Sequence, residues 1–410
     1  MFSRPGAVKT SFSAEMQLLL QCCSDSLARN SVTPSITISD RAIDWNRFVS
    51  LVARHRLFPL VNRAFKQIKD VVPAAIQGEI AIQASKNLKR MMNLAGELKL
   101  LHRLFSAHDL EFISLKGPLM VQQVYGDYSY RQTRDLDILI EEQNIDRAIS
   151  MLSGAGYLLK DEYFCRHPEK RALYMNRENH VRFRHPDKMI FIELHWAVSK
   201  YFTTIKTASL FKNSTEITVQ GTLFRTCPLN DYFIILATHG IYHRYELLFW
   251  LYDIAHLMSL PAINPGEVLA HAGRLNCTTS VKVSMALSKS LFNLNIPAFE
   301  LQKSDLTKRE QFIHDQCMIA ITGADSSNRA ERSGDFLNTL RQGYAHQKYL
   351  VLMTDDWHSK KRVFLNMLIK PYVWENDRKI PKSNFIYLIL TQLKWIKLAI
   401  SFRSSQSHDR

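Results

Sequence analysis

Two aspartates separated by one apolar residue, Asp135-Leu136-Asp137, open a run that continues Ile138-Leu139-Ile140. On an extended strand the two share one face with Cα atoms about 6 to 7 Å apart, close enough to bind divalent cations jointly through oxygen ligands. Leu136 and Ile138 take the other face, so the segment reads as one wall of a sheet whose polar side opens on a cleft. By itself such a pair fits two solvent-facing charges equally well. Glu193 supplies a third carboxylate on a strand where Ile190, Ile192, Leu194 and Trp196 commit the opposite face to a core. Three acids from two strands fit a two-metal arrangement. One ion bridges a triphosphate, the other lowers the pKa of an attacking hydroxyl, and pyrophosphate leaves in line.

Other residues could complete that chemistry. Lys116-Gly117-Pro118 follows a strand-like Phe112-Ile113-Ser114-Leu115 and opens a helical stretch. Free N–H groups at such a helix start attract phosphate, glycine allows close approach, and Lys116 adds a point charge; an ordinary turn with a surface lysine is the alternative. Arg131, four residues before Asp135, is either a phosphate ligand or a partner that holds a carboxylate, and Arg134 reads as a surface residue. Period two puts His180, Arg182 and Arg184 on one face, which either neutralises phosphate or is solvated. His195 shares the face of Glu193, where it orients that acid, touches substrate or is satisfied as a wall residue. His239, His243, Trp250 and Asp253 fall on one stripe if a single helix carries them. HxxxH can bind zinc, but no glutamate follows His239 directly and no third ligand is near, so the stripe reads as packing.

The elements that must position these residues follow from periodicity. Helical spacing runs from about Ser13 to Ala107, with breaks at Asn30 to Ser39 and at Val71 to Pro73 and a long last helix from about Ala74. Strand, helix, strand and helix then alternate through about Gly154, the last helix with Asn144 as a possible cap. His180 to Arg184 and Met189 to Trp196 form a hairpin about His185-Pro186-Asp187-Lys188, and a weaker hairpin spans Glu216 to Arg225 around Gln220-Gly221. After Pro228 helical spacing returns to the end, broken at Pro261 to Gly266, Ala324 to Asp335 and about Lys379 to Ser383. Only Arg403 to Arg410 has a disordered composition.

Composition bounds the rest. A chain of 410 residues with 46% hydrophobic residues can bury a large core in two or three units. A formal charge of +15 favours a polyanionic partner: a nucleotide, a nucleic acid or an anionic membrane surface. The N-terminus lacks a secretory pattern, and the apolar run Phe385 to Ile400 is broken by Gln392, Lys394 and Lys397, so it reads as a packed or interfacial helix and no transmembrane segment is expected. Six cysteines, Cys22, Cys23, Cys165, Cys227, Cys277 and Cys317, lie without a CxxC pair, which suits free thiols in a reducing cytoplasm.

The Leu115-Lys116-Gly117 turn, Arg131 before Asp135-Leu136-Asp137, and Ile192-Glu193-Leu194-His195-Trp196 together resemble a nucleotidyltransferase family of the polymerase-β superfamily, in motif, order and spacing. The segment from Thr238-His239 through Trp250 to Asp253-Ile254-Ala255 is similar to that family's downstream region. The chain departs from better-understood relatives in carrying Lys116-Gly117-Pro118 where they have a Gly-Ser or Gly-Gly pair. The resemblance implies an α+β fold, a small mixed β-sheet core flanked by N- and C-terminal helical regions. The expected organisation is a helical region over 1–107, an α/β core over 108–227, a helical region over 228–402 and a tail over 403–410. The resemblance implies Asp135, Asp137 and Glu193 as carboxylates for Mg²⁺ or Mn²⁺ and the Lys116-Gly117 turn near a nucleoside triphosphate such as ATP; Arg131, Arg182 and His195, from their places on the strands, are the further candidates to bind it. The acceptor would be a small molecule, a protein side chain or an RNA end. The alternative is a catalytically silent nucleotide-binding or interaction protein that keeps the same fold.

Overall fold

The computed structural model describes residues 12–27, 43–161, 171–199, 202–294, 296, 299, 301–323, 345–346 and 348–368. Among them the chain is α+β. A five-stranded mixed sheet is built from β1 (Ile113–Ser114), β2 (Asp135–Leu139), β3 (Leu158–Leu159), β4 (His180–His185) and β5 (Ile190–His195), in the order β1-β2-β5-β4-β3. β2 and β5 run parallel, and the other neighbours are antiparallel.

Register follows from which face each strand must bury. Leu136, Ile138, Val181, Phe183, Ile192 and Leu194 are fully buried. They pack with Leu94, Leu98, Leu101 and Phe105 of α4 (Ala74–Ser106) and with Ile145, Ala148 and Leu152 of α6 (Ile145–Gly154). Each such aliphatic side chain contributes about 1.5–3 kcal/mol, so a one-residue slip would expose the whole set. The same register sends every acid of interest to the other face.

Helices cover the flanks. α1 (Ala14–Leu27), α2 (Trp45–His55) and α3 (Phe58–Phe65) precede α4, whose 33 residues span about 50 Å. Leu19, Cys22, Phe48 and Val52 share one core with Phe233, Leu251, Val283 and Met285 of the helices Leu229–Tyr242, Leu248–Met258 and Thr278–Phe292. Helices before and after the sheet thus pack on each other. A separate hairpin pairs β6 (Thr215–Val219) with β7 (Thr222–Thr226). Its turn residues Gln220 and Gly221 both have positive φ, as a tight hairpin needs.

Three details differ from expectation. Asn144 precedes α6, but its side chain accepts no capping hydrogen bond. β3 has two residues and no alternation of its own; it forms because β4 offers it an edge. The stripe from His239 to Asp253 does not lie on one helix. It is divided by a turn where Arg244 and Tyr245 take left-handed conformations, and the Tyr245 ring fills the space beside Gly240, where a Cβ would collide with it. The expected helix at Phe385 to Ile400, the tail 403–410, the break at Ala324 to Asp335 and Cys165 lie outside the described residues. Among those described, no helix is long and apolar enough to cross a membrane.

Candidate active site

The parallel pairing of β2 with β5 sets Asp137 directly opposite Glu193 and Asp135 opposite Phe191. Across the antiparallel pair, Arg182 faces Glu193, His180 faces His195 and Arg184 faces Phe191. One polar face therefore gathers Asp135, Asp137, Glu193, His195 and His180.

His195 is buried as deeply as Asp137. Its Nε2 is 3.3 Å from Asp137 Oδ1 and 3.3 Å from Glu193 Oε2, buried and without a well-aligned hydrogen bond. Burial alone would lower the imidazole, but the two carboxylates outweigh it and raise its proton affinity. Asn179 Nδ2 approaches the other ring nitrogen at 3.5 Å. His180 Nε2 stands 3.9 Å from Glu193 Oε1, and burial with the neighbouring His195 depresses it to about 4. His180, Glu193 and His195 each bring one donor atom within 4.8 Å of the others. His180 thereby joins the candidate metal donors, whereas its sequence position had suggested only a basic face.

Lys116 enters from the turn after β1. Its Nζ is 3.8 Å from Asp137 Oδ1 and 3.3 Å from His239 Nδ1. Burial would raise Asp137, but Lys116, His195 and His239 together hold it well below the usual carboxylate range. Asp135 behaves oppositely: burial, then Asp137 and Glu193, push it up to about 6 despite Lys116 and Arg131. Gly117 caps α5 (Pro118–Tyr125) with φ +79°, and a Cβ there would sit 3.5 Å from the Asp135 carbonyl oxygen. Turn and acid strand are thus in contact.

Two expected phosphate ligands are engaged elsewhere. Arg131 Nε donates to Asp253 at 2.9 and 3.1 Å and its Nη1 donates to Thr133 at 2.7 Å, all buried, which matches the carboxylate-partner alternative. Arg182 lies on the expected face, but its guanidinium is bound to Asp161 at 2.6 and 3.1 Å. Three residues of the supposed stripe do meet: the His239 and His243 rings are 4.7 Å apart, and the Trp250 ring is 4.9 and 5.2 Å from them.

Arg56 escaped the sequence reading altogether. It ends α2 in the left-handed conformation at φ 57°, and burial followed by repulsion from Arg134 lowers its guanidinium, with Asp135 near enough to offset part of this. A non-glycine residue held there costs about 1 kcal/mol or more. No local motif announces it, because Asp135, whose charge reaches it, lies 79 residues further along the chain.

Carboxylates and imidazoles converging on one face, with Lys116 and Arg56 at its margins, are suited to hold divalent cations and a polyphosphate. A family model described as an uncharacterised nucleotidyltransferase matches residues 41–293, a span that contains each of these side chains. No curated protein and no solved structure matches the chain.

Proposed function

The chain belongs to the uncharacterised nucleotidyltransferase family, and on that premise we propose that it is an enzyme of the polymerase-β superfamily that moves a nucleoside monophosphate from an NTP to an acceptor hydroxyl. Asp135, Asp137 and Glu193 are its metal carboxylates and Mg²⁺ or Mn²⁺ its ion. The observation that carries this reading is the register of β2 against β5, which brings Asp137 and Glu193 face to face with Asp135 on the same side. The donor set fits a divalent ion, since the buried Nε2 of His195 points between two carboxylates without an aligned partner.

Bound divalent ions supply charge neutralisation on the triphosphate and a more acidic acceptor hydroxyl. The protein's own groups do the positioning. Lys116 and the Gly117 turn at the start of α5 lie where the phosphates approach Asp137, and Lys116 and Arg131 offset charge at Asp135. The acceptor oxygen bonds to the α-phosphorus as the bond to the β-phosphate oxygen breaks, and pyrophosphate departs with that electron pair. The hydroxyl proton, made more acidic where a bound ion would polarise that oxygen, passes to solvent. A cytoplasmic location belongs to the same reading and is supported by five buried free cysteines among the described residues.

The test is a thermal-shift panel of the four nucleoside triphosphates with Mg²⁺ or Mn²⁺, on wild type and an Asp135→Asn, Asp137→Asn double variant. A triphosphate at a hundred times its Kd should stabilise wild type by about 2.7 kcal/mol and leave the double variant unmoved. In a direct assay Asp137→Asn should abolish transfer with the fold intact. Normal transfer by that variant would sink the assignment.

A further inference from the structure

On α4, Gln83, Lys86, Lys89 or Arg90, and Asn93 recur every three or four residues and so share one face. Lys86, Lys89, Arg90 and Asn93 are exposed. No described acid forms an ion pair with Lys86, Lys89, Arg90 or Arg134. In the same region Lys188 is bound to Glu97 and Arg182 to Asp161. The stripe from Gln83 to Asn93 runs about 15 Å, longer than one triphosphate. It lines a cavity of about 930 Å³ whose lining also includes Asp135, Phe191 and Glu193.

Phe191 is out of place for a core residue. It lies on the polar face of β5, beside Asp135 in register, and is 43% exposed. Arg184, opposite it on β4, places its guanidinium carbon 5.9 Å from the ring centre and keeps a buried Nε without a hydrogen-bond partner. An exposed ring backed by an arginine, one register step from the acids, is a platform for a nucleobase.

We infer that the acceptor is the end of a single-stranded nucleic acid, its phosphates on the α4 stripe and a base on Phe191. This rests on the nucleotidyl-transfer reading above. A phosphorylated small molecule would need only a few of these cations and would leave the ring unused. A duplex keeps its base faces stacked and offers none to Phe191. In the reaction the strand's terminal hydroxyl oxygen bonds to the α-phosphorus of the NTP, pyrophosphate leaves, and the strand becomes one nucleotide longer.

The experiment is fluorescence anisotropy of the full chain with a short labelled single-stranded oligonucleotide, in RNA and DNA versions, without metal or NTP, over a range of salt. Binding should weaken linearly with the logarithm of salt. A Lys86→Glu, Lys89→Glu, Arg90→Glu variant should lose at least about ten-fold in affinity and flatten that slope by about two. Phe191→Ala should lose about ten-fold with the slope unchanged. Tighter binding of either sugar type supports the inference and identifies the strand. Absence of binding at low salt, wild-type affinity in the triple variant, or equal affinity for a duplex of the same sequence would overturn it. Because binding is read without turnover, a failed transfer assay does not decide it, and its own failure leaves transfer to another acceptor standing.

Discussion

Arg131 Nε lies 2.9 Å from Asp253 Oδ2 and 3.1 Å from Oδ1, and their side chains are 5% and 1% exposed. The pair ties the loop before β2 to the helix Leu248–Met258. Tyr125 of α5 donates to the same carboxylate at 2.6 Å, and Asn87 of α4 donates to the Arg131 carbonyl at 3.0 Å. Four elements therefore converge four residues before Asp135. Burial would lower the guanidinium, but Asp253 and then Tyr125 raise it, so it stays charged. The arrangement fixes where the acid strand begins.

Removing one member of a buried pair strands the other charge, at a cost of about 3–5 kcal/mol. Asp253→Asn should therefore lower the unfolding free energy by about that amount in urea titrations. An Arg131→Met, Asp253→Leu double variant should recover most of the loss, because no charge is left uncompensated. A single variant within 1 kcal/mol of wild type would show that the pair does not hold the loop.

Much of this was legible in sequence because β2, β4 and β5 alternate cleanly. Leu136, Ile138, Ile192 and Leu194 fix which face is buried, and Asp135, Asp137 and Glu193 follow from them. What escaped depends on tertiary contacts. β3 is two residues long and draws its pairing from β4. The turn dividing the His239 to Asp253 stripe keeps helical spacing in its side chains, and only the fit of Tyr245 against Gly240 reveals it. Arg56 is an ordinary helix-end residue until the fold sets its guanidinium over the Phe249 ring and within reach of the charge on Asp135. Arg131 carried two readings because four residues of spacing cannot say which carboxylate an arginine will meet.

Asp135 makes the metal-free protein pay at neutral pH. Its folded value of about 6 exceeds the ordinary 3.8, so the protonated form is favoured by folding. That stabilisation is complete below about pH 3.8 and is lost as pH rises through 6. Asp135→Asn removes the penalty, so the metal-free variant should be about 1–3 kcal/mol more stable than wild type at pH 7, and the two should converge below pH 3.8. Guanidinium unfolding at both pH values with a chelator present measures it. A variant less stable at pH 7 would contradict the assigned crowding of acids.

Gly117 and Gly126 bracket α5 with φ of +79° and +72°. Alanine at Gly126, which is left-handed helical, should cost about 1–2 kcal/mol for its backbone conformation, and alanine at Gly117 should cost more. The sites differ in surroundings: nothing lies within 4 Å of a Cβ at Gly126, whereas one at Gly117 meets the Asp135 carbonyl at 3.5 Å. Gly117→Ala should lose the more stability, since its ψ of −154° belongs to a region essentially closed to other residues while Gly126 at ψ −1° is left-handed helical, and only Gly117→Ala should raise the KM for NTP. If the two variants bind NTP alike, the Gly117 turn is not part of the triphosphate site.

Lys116 is held between Asp137 at 3.8 Å and His239 at 3.3 Å. Burial, then Lys116 and His243, keep His239 well below its ordinary value, so a neutral ring faces the ammonium. Lys116→Gln keeps a similar length and removes the charge. It should lower kcat/KM by about a hundred-fold or more, close to 2.7 kcal/mol of transition-state stabilisation. Arginine should not rescue it, because its planar fork cannot replace a point charge between a carboxylate and a ring. The same substitution should raise the His239 titration, read from its ring resonances by NMR. A charge used for phosphate alone would leave that titration unmoved, so activity lost with His239 unchanged would place the Lys116 ammonium away from the Asp137–His239 gap.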